Sequence, residues 1–263
     1  MQDNEKIAQL LAQLMENGQK EQAADIRQLC GYVDSLEKQY TAVLTELQGI
    51  KQQLSETAVQ KRPFRVQVSD AVQAAETALK QARDQLPALK EELAIWAETT
   101  ADDIRRMGIS ALDSAASFLG IRQILENIRD ALESALKSVR SAIHQVETVG
   151  QELREAGNHL ANAGRAAVGR EVQPKDVTQE GHFQAVVLAP LRGTDRMLTG
   201  MTRTTQAAVR NVRRLERTAE ENRGRRERSS VRQRLEQKKE IVSQATPAPS
   251  SPPPGRRKSE AVL

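Results

Sequence analysis

Apolar residues recur at alternating steps of three and four along most of the chain, with polar residues between them. The longest unbroken series runs from residue 118 to residue 167. Such a series is typical of an α-helix that pairs with another helix along an apolar seam. At about 1.5 Å per residue, this seam is about 75 Å long. Its larger members are Leu125, Ile128, Leu132, Val139, Val146, Leu153 and Leu160.

The N-terminal residues 1–60 predict a helical hairpin and coiled coil. A short helix over residues 4–16 is followed by Asn17-Gly18, a pair that ends helices. A second helix begins near Lys20 and carries its own seam. The members of that seam are Ile26, Leu29, Val33, Leu36, Tyr40, Val43, Leu47, Ile50 and Leu54. Because the first helix is too short to be stable alone, we expect it to fold back on the start of the second.

The stretch that carries both helices, NEKIAQLLAQLMENGQKEQAADIRQLCGYVDSLEKQYTAVLTELQGIKQQL, resembles the opening of a known family. Its members are uncharacterised helical proteins encoded on integrative conjugative elements of anaerobic gut bacteria. The resemblance covers roughly the first 60 residues. It implies a mobile-element setting, but no activity and no functional residues.

The middle of the chain reads as a linker followed by long Ala-rich helices. Pro63 suggests that residues 61–68 are a linker, since proline restricts the residue before it. Ser69 is the expected cap of the next helix, and residues 69–169 form the long-helix region. Pro87 predicts a kink, and the polar run at 99–103 predicts a helix end and a new start.

The helical pattern fails after Gly169, so residues 170–189 are expected to be a second linker. Pro190 suits the first turn of a basic helix over residues 190–243. Residues 244–263 are rich in Pro and Ser and are expected to be a disordered tail.

Arginine recurs every seven residues in the basic helix, opposite its weak apolar seam. Arg196, Arg203, Arg210 and Arg217 form this arginine column, with neighbours about 10.5 Å apart along the helix axis. Nearby basic residues extend the candidate nucleic-acid site. They are Arg213, Arg214, Arg225, Arg226 and Arg228.

The arginine column has three interpretations. Regularly spaced guanidinium groups contact phosphates along a nucleic-acid backbone without reading bases. The same charges suit an anionic membrane or an acidic protein. A charged outer face that only keeps a long helix hydrated is the third interpretation.

Composition supports long helices over a thick core. Aromatic residues make up only 2% of the 263 residues, which is few for a compact enzyme of this size. The net charge of +4 is uneven, because residues 190–240 hold 15 Lys/Arg against 7 Asp/Glu. An anionic partner would therefore bind toward the C-terminal end.

No residues form a recognisable catalytic, cofactor or metal site in the sequence. His144 and His159 lie off the seam, and Cys30 is the single cysteine, which excludes an intrachain disulfide. Asp102-Asp103 resembles a paired carboxylate but suits a helix start better. The N-terminus shows no signal-peptide pattern, so we expect a cytoplasmic protein.

These patterns predict an all-α, elongated coiled-coil protein with a basic C-terminus and no enzymatic activity. The expected function is a scaffold or adaptor of a mobile element that tethers DNA or RNA. The expected partners of its seams are further copies of the chain or another coiled-coil protein. One alternative is an amphipathic protein that coats a lipid or membrane surface. The other alternative is a module that serves only protein–protein interaction or oligomerisation.

Overall fold

A computed structural model of the chain describes residues 4–56, 62–108, 118–167 and 182–245. Within these ranges the chain is helical apart from short turns, and no β-strand is present, so the predicted all-α class is confirmed. Six helices follow in order: α1 (Glu5–Glu16), α2 (Lys20–Glu56), α3 (Arg62–Asp84), α4 (Leu86–Met107), α5 (Phe118–Ala167) and α6 (His182–Ala245).

Residues next to helix α1 in the sequence cap its N-terminus and end it at its C-terminus. The Asn4 side-chain oxygen accepts a hydrogen bond from the backbone N–H of Lys6 at 3.1 Å. Gly18, with φ of 76°, reverses the chain in the left-handed region that favours glycine. Helix α1 contacts α2, as expected, and also α4, where Lys6 Nζ lies 2.6 Å from a Glu98 carboxylate oxygen.

Helix α2 runs antiparallel to the rod formed by α3 and α4. Lys51, near the end of α2, lies 2.8 Å from Glu76 of α3. Glu37, in the middle of α2, lies 2.6 Å from Lys90 of α4. Residue numbers therefore rise along one helix as they fall along the other.

The boundaries of α3 and α4 differ from those expected. Helix α3 begins at Arg62, so residues 62–68 are helical and not a linker, because proline is tolerated in the first turn of a helix. The interruption falls at Gln85, which places Pro87 in the first turn of α4. Helix α4 then continues through residues 99–103 to Met107, because Thr100 and Ala101 are buried against neighbouring helices.

Helices α5 and α6 complete a ring of four antiparallel rods. The ring of Trp96 on α4 meets that of Phe118 on α5, with centroids 4.6 Å apart. Arg192 of α6 lies 2.9 Å from Glu147 of α5. Asn211 of α6 donates a hydrogen bond to Gln28 of α2 at 3.3 Å, which closes the ring. Residues 1–219 thus contain a helical bundle in which the seams pair within one chain.

The seams supply the core of this bundle. Every predicted seam position on α2, from Ile26 to Leu54, is at most 3% exposed. On α5, burial extends from Phe118 to Val146. Beyond that point Leu160 is 78% exposed, so it has no cover in the described part of the chain, and the side chain of Leu153 is outside the described residues.

Helix α6 begins earlier than expected, at His182. Residues 182–189 are therefore helical, and Pro190 lies inside the helix instead of starting it. Val187 and Leu188 are 1% exposed, and their burial offsets the cost of an interior proline, about 3 kcal/mol. Helix α6 continues to Ala245, while residues 170–181 and the tail from residue 246 are outside the described residues.

Two compact units divide the chain, with the first ending at Ala219 and the second starting at Glu220. The described portion of the second unit is the helical stretch to Ala245. Across the described ranges, no helix contains a segment apolar and long enough to cross a bilayer.

Candidate nucleic-acid interface

The inner face of α6 holds the helix in the bundle. Leucine, methionine and valine alternate there with small residues, and all are fully or nearly fully buried. The buried positions are Thr194, Leu198, Met201, Thr205, Ala208, Val212 and Leu215. The Thr205 hydroxyl donates to the Met201 carbonyl at 2.9 Å, which satisfies its polar group inside the core.

The outer face carries the arginine column. Arg196, Arg203, Arg210 and Arg217 are all exposed, as expected for positions opposite the seam. Among the described residues, none forms a hydrogen bond or ion pair with these four guanidinium groups. Within the described part of the chain, the column therefore presents four positive charges without an ion-pair partner, on a helix whose opposite face is buried.

Arg213 and Arg214 behave differently from the column. Arg213 lies 2.8 Å from Glu126 of α5, and Arg214 is ion-paired with Asp25 of α2. Both were predicted to contact nucleic acid, but in this structure they tie α6 to its two neighbours. Their charges are partly neutralised within the chain, so they contribute less to an anion site than their sequence position suggests.

The remaining charges of α6 in the bundle are also paired. Asp195 lies 2.7 Å from Arg140, and Glu216 lies 2.8 Å from Arg122, both on α5. Asp195 and Glu216 are the acidic residues of α6 between positions 192 and 217, and these contacts pair both of them with arginines of α5. Glu220 and Glu221 follow just beyond Arg217.

Small residues separate the arginines of the column. Gly193 and Gly200 each precede an arginine by three residues, and Ala207 repeats the pattern before Arg210. A Cβ placed on either glycine would have nothing within 4 Å. The seven-residue spacing of these glycines is visible in the sequence, but they were not among the predicted site residues.

The arginine column does not continue directly into the second unit, where Gly224 and Val231 occupy the next two positions of its register. Arg225 and Arg228 are exposed, and the side chain of Arg226 lies outside the described residues. Arg223 donates to Glu227 at 3.2 Å, one turn further along the helix. Arg225, Arg232 and Lys239 also recur every seven residues here, in a separate series that lies one residue beyond the register of the column.

The other polar candidates are structural. Cys30 is fully buried, and burial, with a contribution from the charge of Asp34, raises the pKa of its thiol to about 11. Asp102 accepts a hydrogen bond from Arg105 at 2.7 Å within α4. In the part of the chain that the structure describes, no three His, Cys, Asp or Glu side chains converge as metal ligands would.

A family model described as "Family of unknown function (DUF6674)" matches residues 3–258 of the chain. Neither a curated protein nor a solved structure matches the chain. The function of the chain is therefore inferred from its own residues.

Proposed function

The chain belongs to this family of unknown function, and from that premise we propose that it is a non-enzymatic helical scaffold that tethers nucleic acid through α6. The bundle supplies the rigid body, and the arginine column supplies contacts to phosphates. The resemblance of the N-terminal helices supports a scaffold that serves a mobile element, and we propose a cytoplasmic location for it.

One observation carries this proposal: four exposed arginines in register, without partners among the described residues, on a helix whose opposite face is buried. A charged face that only kept the helix hydrated would tolerate mixed signs and paired charges. Here the paired charges lie at the flanks of α6, and the column itself is of one sign. Arginine is also the side chain best shaped to contact phosphate oxygens with two donors.

The proposal is tested by a gel-shift titration of duplex DNA over a range of salt concentrations. The test variant replaces Arg196, Arg203, Arg210 and Arg217 with Gln. If each arginine neutralises one phosphate, the column contributes about −3 to −4 to the slope of log K against log salt. The variant is therefore expected to bind more weakly at low salt and to lose that part of the slope.

A matched control removes the same charge elsewhere on the bundle. Arg27, Lys38, Arg106 and Lys137 are exposed positions on α2, α4 and α5. Their replacement with Gln is expected to leave most of the salt slope in place. No gel shift by the unmodified protein at low salt, or an equal loss in both variants, would contradict tethering by the column.

A second candidate function is assembly with a partner helix. The end of α5 supports it, because the predicted seam position Leu160 is 78% exposed. A further copy of this chain or another coiled-coil protein would bury that side chain. Sedimentation equilibrium measures the number of subunits, and a monomer at all concentrations would exclude assembly between copies.

The lipid-surface alternative receives less support. It requires the Ala-rich stripes of residues 70–168 to face an apolar surface. In the bundle, the stripe residues Ala75, Leu79, Ala135 and Ala142 are already fully buried. Vesicle co-sedimentation of the intact protein distinguishes this alternative from nucleic-acid tethering.

A further inference from the structure

The outer face of α6 repeats the same unit along the bundle. Gly193 with Arg196, Gly200 with Arg203, and Ala207 with Arg210 each place a small residue one turn before an arginine. We call the arginine column together with these three small residues the outer strip. Its arginines are exposed and its small residues are partly exposed.

The two glycines of the outer strip are costly for the helix. A glycine inside a helix is about 1 kcal/mol less favourable than alanine. Close packing inside the protein would explain such glycines, but the space beside Gly193 and Gly200 is open. Nothing in the described bundle uses that space, so it is available to a molecule that approaches from outside.

The outer strip is also preorganised. Leu198, Met201 and Val212, on the opposite face of the same turns, are fully buried. Ion pairs to α5 and α2 fix the flanks of the helix. The arginines therefore start from a backbone that is already in place, which lowers the entropy lost on binding.

The length of the strip matches a duplex. Arg196 and Arg217 are separated by 21 residues, which corresponds to about 32 Å along the helix axis. One turn of a DNA duplex is about 34 Å long. A rod that lies along the duplex therefore crosses the phosphate backbones of both strands within the length of the column.

Single strands fit the outer strip less well. Proteins that bind single strands stack bases on aromatic side chains. The sequence of α6 from residue 186 to residue 245 contains no aromatic residue. A flexible single strand also lacks two backbones at a fixed separation.

We propose that the outer strip binds the sugar–phosphate backbones of a nucleic-acid duplex, with α6 lying along the duplex over about one turn. The small residues let the backbone approach the helix between successive arginines, and the arginines contact the phosphates on either side. This inference rests on the proposed tethering function and adds the form of nucleic acid and the way it lies on the helix.

The first test measures binding of the full chain to DNA duplexes of 6 to 20 base pairs and to single strands of the same lengths. Affinity is expected to rise steeply up to about 10 base pairs, one helical turn, and slowly thereafter. Single strands of equal length are expected to bind about tenfold or more weakly. Equal binding of both forms would overturn the duplex proposal.

The second test fills the open space without changing charge. The double variant Gly193→Leu, Gly200→Leu is expected to weaken duplex binding about tenfold while leaving the helix intact, since leucine favours helices more than glycine does. Gly49→Leu is the control, because Gly49 is an exposed glycine of α2 with equally open space. Circular dichroism and the thermal midpoint verify that all variants are folded.

The possible results distinguish a failure of this inference from a failure of the proposed tethering function. If the four-arginine variant binds duplex DNA as well as the unmodified protein, tethering by the column itself fails. If that variant loses binding but the double glycine variant does not, only the proposed approach of the backbone fails. Polyglutamate that competes with duplex at equal charge concentration would indicate a general anion site and would also overturn the duplex proposal.

Discussion

Arg213 and Arg217 lie four residues apart on α6, yet only Arg213 has an ion-pair partner among the described residues. The heptad pattern predicts that both are on the outer side of the helix. It contains no information about Glu126, which lies 87 residues earlier in the chain and on another helix. The exposure of the column was therefore predictable, whereas the division of the arginines into paired and unpaired groups was not.

Glu76 gives a prediction for a single buried charge. Its carboxylate lies 2.8 Å from Lys51 and 2.7 Å from Lys80, and its side chain is 5% exposed. Hydrogen bonds from the two lysines lower the pKa of Glu76 below its ordinary value of 4.5. Its contribution to stability is therefore complete above pH 4.5 and is lost as the pH falls through the lowered folded-state pKa.

The variant Glu76→Gln is expected to reduce the free energy of unfolding at pH 7 by about 1–3 kcal/mol. The difference from the unmodified protein should shrink toward pH 3, where both side chains become neutral. Denaturant titrations at the two pH values measure this. Glu98→Gln is the control, because its pair with Lys6 is exposed and is expected to contribute at most about 1 kcal/mol. The same loss for Glu76→Gln at both pH values would contradict the assigned role.

At the scale of the helix, α5 illustrates both the strength and the limit of periodicity. The apolar series predicted a helix over residues 118–167, and the structure places α5 over the same residues. The series does not indicate where along α5 the seam stops being buried, because burial depends on contacts with other helices. Leu132 is fully buried while Leu160, on the same predicted seam, is 78% exposed.

This difference is testable with two equivalent substitutions. Leu132→Ala is expected to cost about 2–5 kcal/mol in unfolding free energy, since it leaves a cavity in the core. Leu160→Ala is expected to cost less than about 0.5 kcal/mol. Chemical denaturation of both variants at one protein concentration gives the comparison. A large cost for Leu160→Ala would show that the end of α5 is covered in solution.

Helix boundaries near proline were the least predictable features of the elements. Pro63 and Pro87 occupy first turns, and Pro190 lies eight residues inside α6. Proline restricts local geometry in the same way in all three places. Whether a helix starts at a proline or continues through it depends on the burial of the neighbouring residues, such as Val187 and Leu188 before Pro190.

At the scale of the whole molecule, the core and most of the excess basic charge belong to different parts of the chain. Among the described residues, the buried apolar side chains all lie between Ile7 and Leu215, within the first unit. The described residues of the second unit include exposed Val231, Leu235 and Ile241 and add nothing to that core. Removing the charged residues of the second unit should therefore leave the stability of the first unit nearly unchanged.

A chain shortened to residues 1–221 tests this separation. It is expected to unfold cooperatively with a thermal midpoint within about 2 °C of the full chain, because the described residues that it lacks are outside the core. Nucleic-acid binding through the column should remain, with a smaller total salt slope, since the basic residues after position 221 are missing. Loss of cooperative unfolding would contradict the assignment of the core to the first unit.

The amino-acid sequence by itself determined the all-α class, the principal seams and the exposed arginine column. Each of these is a periodic property that a helix expresses within a few turns. Only the tertiary structure decided that helices of the same chain cover the seam on α2 and the seam on α5 as far as Val146, and that Arg213 and Arg214 form ion pairs. Those outcomes depend on contacts such as that between Asp25 and Arg214, which are 189 residues apart and meet only when four rods close into a bundle.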